Sequence, residues 1–575
     1  MIRRFSLLLS LPSLLISVAC TSTPAEPPGR WAEYTGRYAL TPDFIFNVTE
    51  DGALLTLLPT FWGSLQVLDP VRPDRFVSLL HREIVFTFVR DSNGAVAALE
   101  VEGHRDLAGT AVRLADGERL PVERLLAGEV DSAIAALRNG AGEIDAERAL
   151  ALGRRMITRL NTTVATGIEF LRAIAPDLSP SADLEDLLAS GAMITGDRVA
   201  ARLAFGETLR LAPDNAFAAA AIRYLDEDPE PTGGWTLPFS LDALFAPPTK
   251  EEIAAVAADW AGADLSAREV EVVAERTAEL HGTPYRVRIL AHTVHGVRHL
   301  GATIQPVRPL PGCCAVVMEL HGVGWDYPDV PIEQSEVAEI LRDAMANTLI
   351  AIPAFRGTAL TLGGERFLAG GPPTDAWAGA ADDGIAFLNA VLAREPLADE
   401  GRICVAGKSR GGTVALLIAE RDRRVRCAVD WTGPADWFEQ QERYGWTLRE
   451  QVRLALDSRW KPGMGWGSAG QFIEQNLEPT LETGSPELAA VRHRMLAASP
   501  RYFVDLLPRV QLHYGIEDAI VPRKNGDTLV EALRARSDGA PPFEAHFHPH
   551  AGHDLPYPKA YDQTRAFLMS VIGGQ

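Results

Sequence analysis

Cysteine is scarce, with five in 575 residues, and none stands at metal-ligand spacing, which excludes a structural zinc module. Cys313 and Cys314 are adjacent and cannot easily bridge each other. Cys313, Cys314, Cys404 and Cys427 all sit in apolar runs, so they are expected as buried free thiols rather than a disulfide framework. Positive charge is short: 55 Lys and Arg stand against 76 Asp and Glu, a net charge of −21. That balance excludes nucleic acid and anionic membrane surfaces as partners. The apolar run at residues 7–18 is too short for a transmembrane helix. Blade-length internal repeats are missing as well, which excludes a β-propeller.

The strongest signal present is the stretch RICVAGKSRGG at residues 402–412. It reads as a buried strand, a very tight turn and the start of a helix. Gly407, Gly411 and Gly412 flank one serine, Ser409. Small residues are needed there because strand and helix backbones almost touch. The turn thrusts the serine hydroxyl out of the top of a sheet, and the free N–H groups of the helix start face any anion formed beside it. This is a G-x-S-x-G nucleophile elbow with an extra glycine.

A serine nucleophile needs an imidazole base, and the base needs a carboxylate to hold its tautomer. After Ser409, a strand at residues 510–514 leads into Gly515-Ile516-Glu517-Asp518, and a strand at 543–547 leads into His548-Pro549-His550-Ala551-Gly552-His553. Asp518 is the candidate acid and His553 the candidate base. Glu517 and Asp527 compete for the first role; His546, His548 and His550 compete for the second. His546-x-His548-x-His550 has no carboxylate or cysteine set beside it, so no metal is expected. His321-Gly322-Val323-Gly324-Trp325 follows an apolar strand at 315–320. Its small residues let the backbone curl and aim N–H groups at a substrate oxygen. The candidate oxyanion donors are the N–H of Arg410 and that of Val323 or Gly324. His321, Trp325, Arg356 and Trp431 are candidate substrate-binding residues, and Asp430 is a further pocket candidate.

At this length two to four domains are expected. Arg3 and Arg4 precede the apolar run, and Ser17, Val18 and Ala19 precede Cys20, which predicts an export signal over residues 1–19. Cysteine at the cleavage point resembles a bacterial lipoprotein signal and makes Cys20 a candidate lipid attachment site, although Ser17 stands where leucine is usual. Residues 20–30, with Pro24, Pro27 and Pro28, read as a tether. Periplasmic localisation, with a lipid on Cys20 as the sole membrane link, is the expectation. Residues 31–110 alternate like strands, Phe44, Phe46 and Val48 on one face and Ile84, Phe86 and Phe88 on another, and predict a small antiparallel β domain. Residues 125–228 are helical in pattern. Ala201, Phe205, Thr208 and Pro213, with Leu188 and Ala189, match one tetratricopeptide-like unit, too few to stack into a peptide-binding solenoid. Residues 226–234 form a linker.

From 236 to 575 strands and helices alternate, which predicts an α/β domain with a doubly wound, mostly parallel sheet. Strands are expected at 285–291, 301–304, 315–320, 348–352, 403–406, 425–429, 510–514 and 543–547, with a helix at 382–392. Residues 434–500, with Trp437, Trp446, Trp460 and Trp466, read as a helical lid insertion.

Gly407-Lys408-Ser409-Arg410-Gly411-Gly412, Gly515-x-x-Asp518-x-x-Val521-Pro522 and Gly552-His553 together resemble the catalytic domain of prolyl oligopeptidase-like α/β-hydrolases, including dienelactone-hydrolase-like esterases. Phe355-Arg356-Gly357 and Asp382-Asp383 are similar to that family's loop and helix before the elbow. The likeness covers about residues 285–570. Residues 34–101 resemble the lipocalin-like domain found beside some bacterial serine hydrolases. The resemblance implies acyl transfer to water through an acyl-enzyme, with no metal or organic cofactor, on a short peptide or a small ester. Two departures from the peptidases stand out: the missing propeller, and His321-Gly322 where they often carry a tyrosine-bearing loop. A binding protein on an inactive hydrolase scaffold would need a triad member missing, and none is.

Overall fold

The computed structural model describes residues 30–573 except 52–53, 62–65, 79–83, 104–106, 139–142, 159–162, 227–236, 281–282, 311–312, 323–328, 343, 371–375, 440–445, 459–486, 538, 550 and 557. The export signal, Cys20 and nearly all of the linker lie outside the described residues.

Eight strands, from β1 (Gly36–Thr41) to β8 (Gly109–Arg113), close into an antiparallel barrel. Closure is made by β1 on β8, with Tyr38 opposite Arg113. The aromatic residues that alternate in sequence point inward: Phe46, Phe76, Phe86 and Phe88 are buried together with Tyr38 and Leu99. Phe76 and Phe88 meet edge to face at 5.5 Å. An eight-stranded barrel is just wide enough for side chains to fill, and this one is filled by its own aromatics.

Helices follow from Pro121 to Leu225. Ile45 and Phe61 of the barrel bury themselves among them, and Arg148 reaches back to Asp43 at 2.6 Å. The helices Ala182–Ile194 and Arg198–Leu211 are capped by Ser181 and Asp197, each accepting a backbone N–H, as helix starts require. Ala201, Phe205 and Thr208 are buried between them and the next helix. The same cluster takes in Trp446 and Leu454 of the 434–500 insertion. Trp437 instead packs edge-on to Trp377 at 5.0 Å and donates its indole N–H to the Ala498 carbonyl at 3.0 Å. The described tryptophans of the insertion therefore anchor it to its neighbours; Trp460 and Trp466 lie outside the described residues.

The remaining strands are β9 (Arg268–Leu280), β10 (Thr283–Val294), β11 (Val297–Pro306), β12 (Ala315–Leu320), β13 (Asp329–Pro331), β14 (Thr348–Ala354), β15 (Ala359–Leu362), β16 (Glu365–Leu368), β17 (Asp399–Lys408), β18 (Val425–Trp431), β19 (Arg509–Gly515) and β20 (Phe543–His548). Nine form one sheet in the order β20-β19-β18-β17-β12-β14-β11-β10-β9, and β13, β15 and β16 form a small second sheet. Strands β12, β14 and β17 to β20 run parallel, while β9, β10 and β11 are antiparallel. The central strands read as continuous apolar runs because helices cover both faces. The chain steps from β12 to β14 on one side and returns as β17 on the other. That reversal is the switch point where open α/β sheets bind ligands.

The expectation of free thiols is overturned. Cys404 on β17 stands directly opposite Cys427 on β18, with their Cα atoms 4.7 Å apart, and the two are joined as a disulfide. Cys313 and Cys314 are also joined to each other. Parallel register is what brings Cys404 and Cys427 onto one face side by side, and register was not visible in the apolar pattern.

Candidate active site

Ser409 occupies the turn between β17 and the helix Arg410–Arg421, at φ 56° and ψ −124°. A non-glycine residue at positive φ is strained, and such strain collects at functional turns. The surroundings hold it there. Ser409 donates its N–H to the Trp431 carbonyl at 2.7 Å, and its own carbonyl accepts Gly412 N–H at 2.9 Å. A Cβ on Gly407 would collide with Gly411, one on Gly411 with the Leu320 carbonyl, and one on Gly412 with the Asp430 carboxylate. The glycines are therefore steric requirements of the turn.

Asp518 lies in the loop after β19 and is fully buried. One of its oxygens accepts the backbone N–H groups of Ile520 at 2.8 Å and Val521 at 2.9 Å. The other lies 2.8 Å from His553 Nδ1. Two backbone donors fix the carboxylate, and the carboxylate fixes the imidazole, leaving Nε2 as the ring's working atom. Glu517, one residue earlier, is buried with its N–H on the Ala551 carbonyl, and Asp527 pairs with Arg523. Gly515 packs so tightly on Ala551 and Gly552 that a Cβ there would strike both carbonyls. The loop of the acid and the loop of the base are thus pressed together.

The other described histidines of this region pack on one another. His513, His546 and His548 stack on one another, with His513 Nδ1 and His548 Nε2 2.9 Å apart. Burial holds His513 well below its usual range and His548 down to about 4. His550 lies outside the described residues.

On the oxyanion side, Arg410 stands at the first position of the elbow helix, where backbone N–H groups lack helical partners. Val323, Gly324 and Trp325 lie outside the described residues. His321 and Gly322 are described, and a Cβ on Gly322 would lie 3.3 Å from the Lys408 carbonyl and 3.5 Å from Ser409 Cβ. The loop after β12 therefore starts against Ser409. The His321 ring lies on Phe355 at 4.3 Å, and burial pushes its imidazole down to about 3, so it is neutral. Arg356 is bound to Asp383 through Nε at 3.0 Å and Nη2 at 2.7 Å, tying the loop after β14 to the helix Ala378–Arg394.

Trp431 is not a pocket residue. It is buried, stacks on Tyr561 and donates its indole N–H to Thr564 at 3.2 Å, because its position on β18 faces the C-terminal helix Lys559–Ile572. Asp430 is likewise internal. It accepts Gly433 N–H at 2.7 Å and meets the Tyr514 hydroxyl at 2.8 Å, and burial pushes its carboxyl up to about 7. It braces the elbow helix from beneath.

Two features were missed in the sequence. Lys408, just before the serine, forms an ion pair with Asp554, just after the histidine, so the elbow and the base loop are linked by their flanking residues. The Arg410 guanidinium folds inward and donates to the Gly322 carbonyl at 3.1 Å. Charged residues adjoining Ser409 and His553 were the available signal.

Residues 341–457 match the prolyl oligopeptidase family, a stretch that holds Ser409 but neither Asp518 nor His553. No curated protein matches the chain. Among solved structures it is similar to acetyl xylan esterase 1 from Thermoanaerobacterium sp. JW/SL YS485, at 17% identity and a TM-score of 0.38, over 59% of this chain and 96% of that one. It is similar to a Mycobacterium tuberculosis puromycin-hydrolyzing peptidase at 17% identity and a TM-score of 0.34, over 52% of this chain and 40% of that one. It is also similar to a Pyrococcus horikoshii acylaminoacyl peptidase at 14% identity and a TM-score of 0.35, over 51% of this chain and 42% of that one. The chain spans less than half the length of these two peptidases. The domain built on the nine-stranded sheet is an α/β-hydrolase that is similar, across its elbow, to the prolyl oligopeptidase family, and the protein is a serine hydrolase.

Proposed function

We propose that Ser409, His553 and Asp518 form the triad of an exported peptidase that cleaves short peptides or aminoacyl amides. The observation that carries the triad is the buried Asp518 carboxylate hydrogen-bonded to His553 Nδ1 at 2.8 Å, in a loop tied by Lys408–Asp554 to the elbow that bears Ser409. His553 takes the Ser409 proton as the hydroxyl attacks the substrate carbonyl, and returns it to the leaving group. Asp518 stabilises the imidazolium formed between these steps. Water then attacks the acyl-enzyme with His553 again as base. The Arg410 N–H, with one from the loop after His321–Gly322, binds the oxyanion.

The peptide reading is supported by the family match across the elbow. A second reading, hydrolysis of small carboxylic esters, is favoured by the His321-Gly322 start of the oxyanion loop. Aminoacyl nitroanilides and short peptides assayed beside acetyl and butyryl esters separate the two. Turnover of esters with every amide inert would sink the peptidase reading and leave the ester reading standing. Export rests on residues 1–20; intact-mass measurement of membrane-extracted protein tests it, with a mature chain starting at Cys20 and carrying lipid as the expected result. A chain still starting at Met1 in the cytoplasm contradicts it.

A further inference from the structure

The Arg410 side chain is an anomaly in charge bookkeeping. It is only 8% exposed, yet among the described residues no carboxylate lies within ion-pair reach of it. The nearest acidic influence is Asp383, whose oxygens are already taken by Arg356. Its guanidinium contacts the Gly322 carbonyl at 3.1 Å and His321 Nδ1 at 3.3 Å, and it lies over the Phe355 ring at 5.0 Å. Its Nε has no hydrogen-bond partner, and neither does His321 Nε2. A buried cation without a counter-charge is strongly unfavourable, and burial accordingly pulls Arg410 down to about 10. Such a cost placed one residue from the nucleophile points to a use for the charge during the reaction.

We propose that the Arg410 side chain is a positioning residue for the oxyanion side of the site. It clamps the Gly322 carbonyl to the elbow and so fixes the peptide that opens the oxyanion loop. It also places a positive charge, with no carboxylate partner among the described residues, on the Gly322 carbonyl of the loop that starts against Ser409. Before reaction no carboxylate among the described residues balances this charge; the tetrahedral intermediate brings a negative charge to its side of the site. The side chain therefore strengthens binding of the intermediate more than binding of the substrate, which is the condition for accelerating the chemical step. The proposal rests on the serine-triad reading above.

The test compares wild type, Arg410→Met and Arg410→Lys by kcat and KM on a butyryl ester and by the inhibition constant of an alkyl boronic acid, which forms a tetrahedral adduct on serine. For Arg410→Met, kcat is expected to fall ~10²-fold, the loss typical of one oxyanion-hole contact. Boronate affinity falls by a similar factor while KM stays within about threefold. Arg410→Lys keeps the charge but not the fork, and is expected to lose roughly tenfold in both kcat and boronate affinity. Wild-type-like kcat, or a lowered kcat with unchanged boronate affinity, overturns the proposal, as does an equal loss in KM and boronate affinity. If melting curves show that Arg410→Met does not fold, Arg410→Lys decides on the same criteria. A wild-type protein that neither binds boronate nor reacts with a fluorophosphonate would instead remove the serine-triad reading itself.

Discussion

Replacing Asp518 by Asn probes the acid with almost no change of shape. In the structure one Asp518 oxygen accepts two backbone N–H groups, at 2.8 and 2.9 Å, and the other accepts from His553 Nδ1 at 2.8 Å. An asparagine can keep only one oxygen. Two fixed backbone donors outweigh one rotatable ring, so the oxygen stays with Ile520 and Val521, and the NH₂ turns to His553. Nδ1 must then accept, which moves the ring proton to Nε2, the atom that should receive the Ser409 proton. The loss is one of tautomer rather than of placement, and kcat should fall by ~10⁴. Two of the three contacts survive unchanged and the third reverses its direction, so stability should change by only about 1 kcal/mol. Steady-state kinetics on a butyryl ester with a parallel thermal melt measures both. Glu517→Gln is the control, expected within about threefold of wild type. A mild Asp518→Asn beside a severe Glu517→Gln would refute this account and move the acid by one residue.

Lys408→Met removes the ion pair with Asp554 that joins the elbow to the base loop. Both side chains are partly exposed, so stability should fall by no more than about 1 kcal/mol. Activity should fall further, by roughly tenfold or more, because His553 loses its tether to the Ser409 strand; equal small losses in both would show that the pair is surface decoration. For pH, burial holds His548 down to about 4, against ~6.5 for an unperturbed imidazole. The unfolded chain binds more protons between these values, so stability present above about pH 6.5 is lost as the pH falls toward 4. His548→Gln should flatten that acid limb by up to on the order of 1 kcal/mol per pH unit, read from melts across the range; an unchanged limb contradicts the burial assignment.

The parts of the fold written as long apolar runs were legible. Strand β12 spans Ala315–Leu320 as expected, and β14, β17, β18, β19 and β20 extend the expected runs by a few residues at their ends. Burial on both faces leaves little choice of residue there. Strand β9 was not foreseen, because Arg268–Leu280 alternates charged and small residues, and at a solvent-facing sheet edge only one partner strand requires it. The Ser409 turn and the Asp518–His553 pair were legible as candidates since each residue stands in a loop at a strand end. The Cys404–Cys427 bond and the inward packing of Trp431 depend on register and on which face of β18 the last helix covers. The roles of Lys408 and Arg410 depend on where two loops meet in space, and a linear pattern carries no record of that.

The central claim is that Ser409 is the nucleophile. Incubating the protein with a fluorophosphonate and mapping the adduct by peptide mass spectrometry tests it most directly. The account predicts stoichiometric labelling on Ser409, loss of ester turnover in step with labelling, and neither labelling nor turnover in a folded Ser409→Ala variant. A label on another residue, or substantial turnover retained by Ser409→Ala, would contradict it.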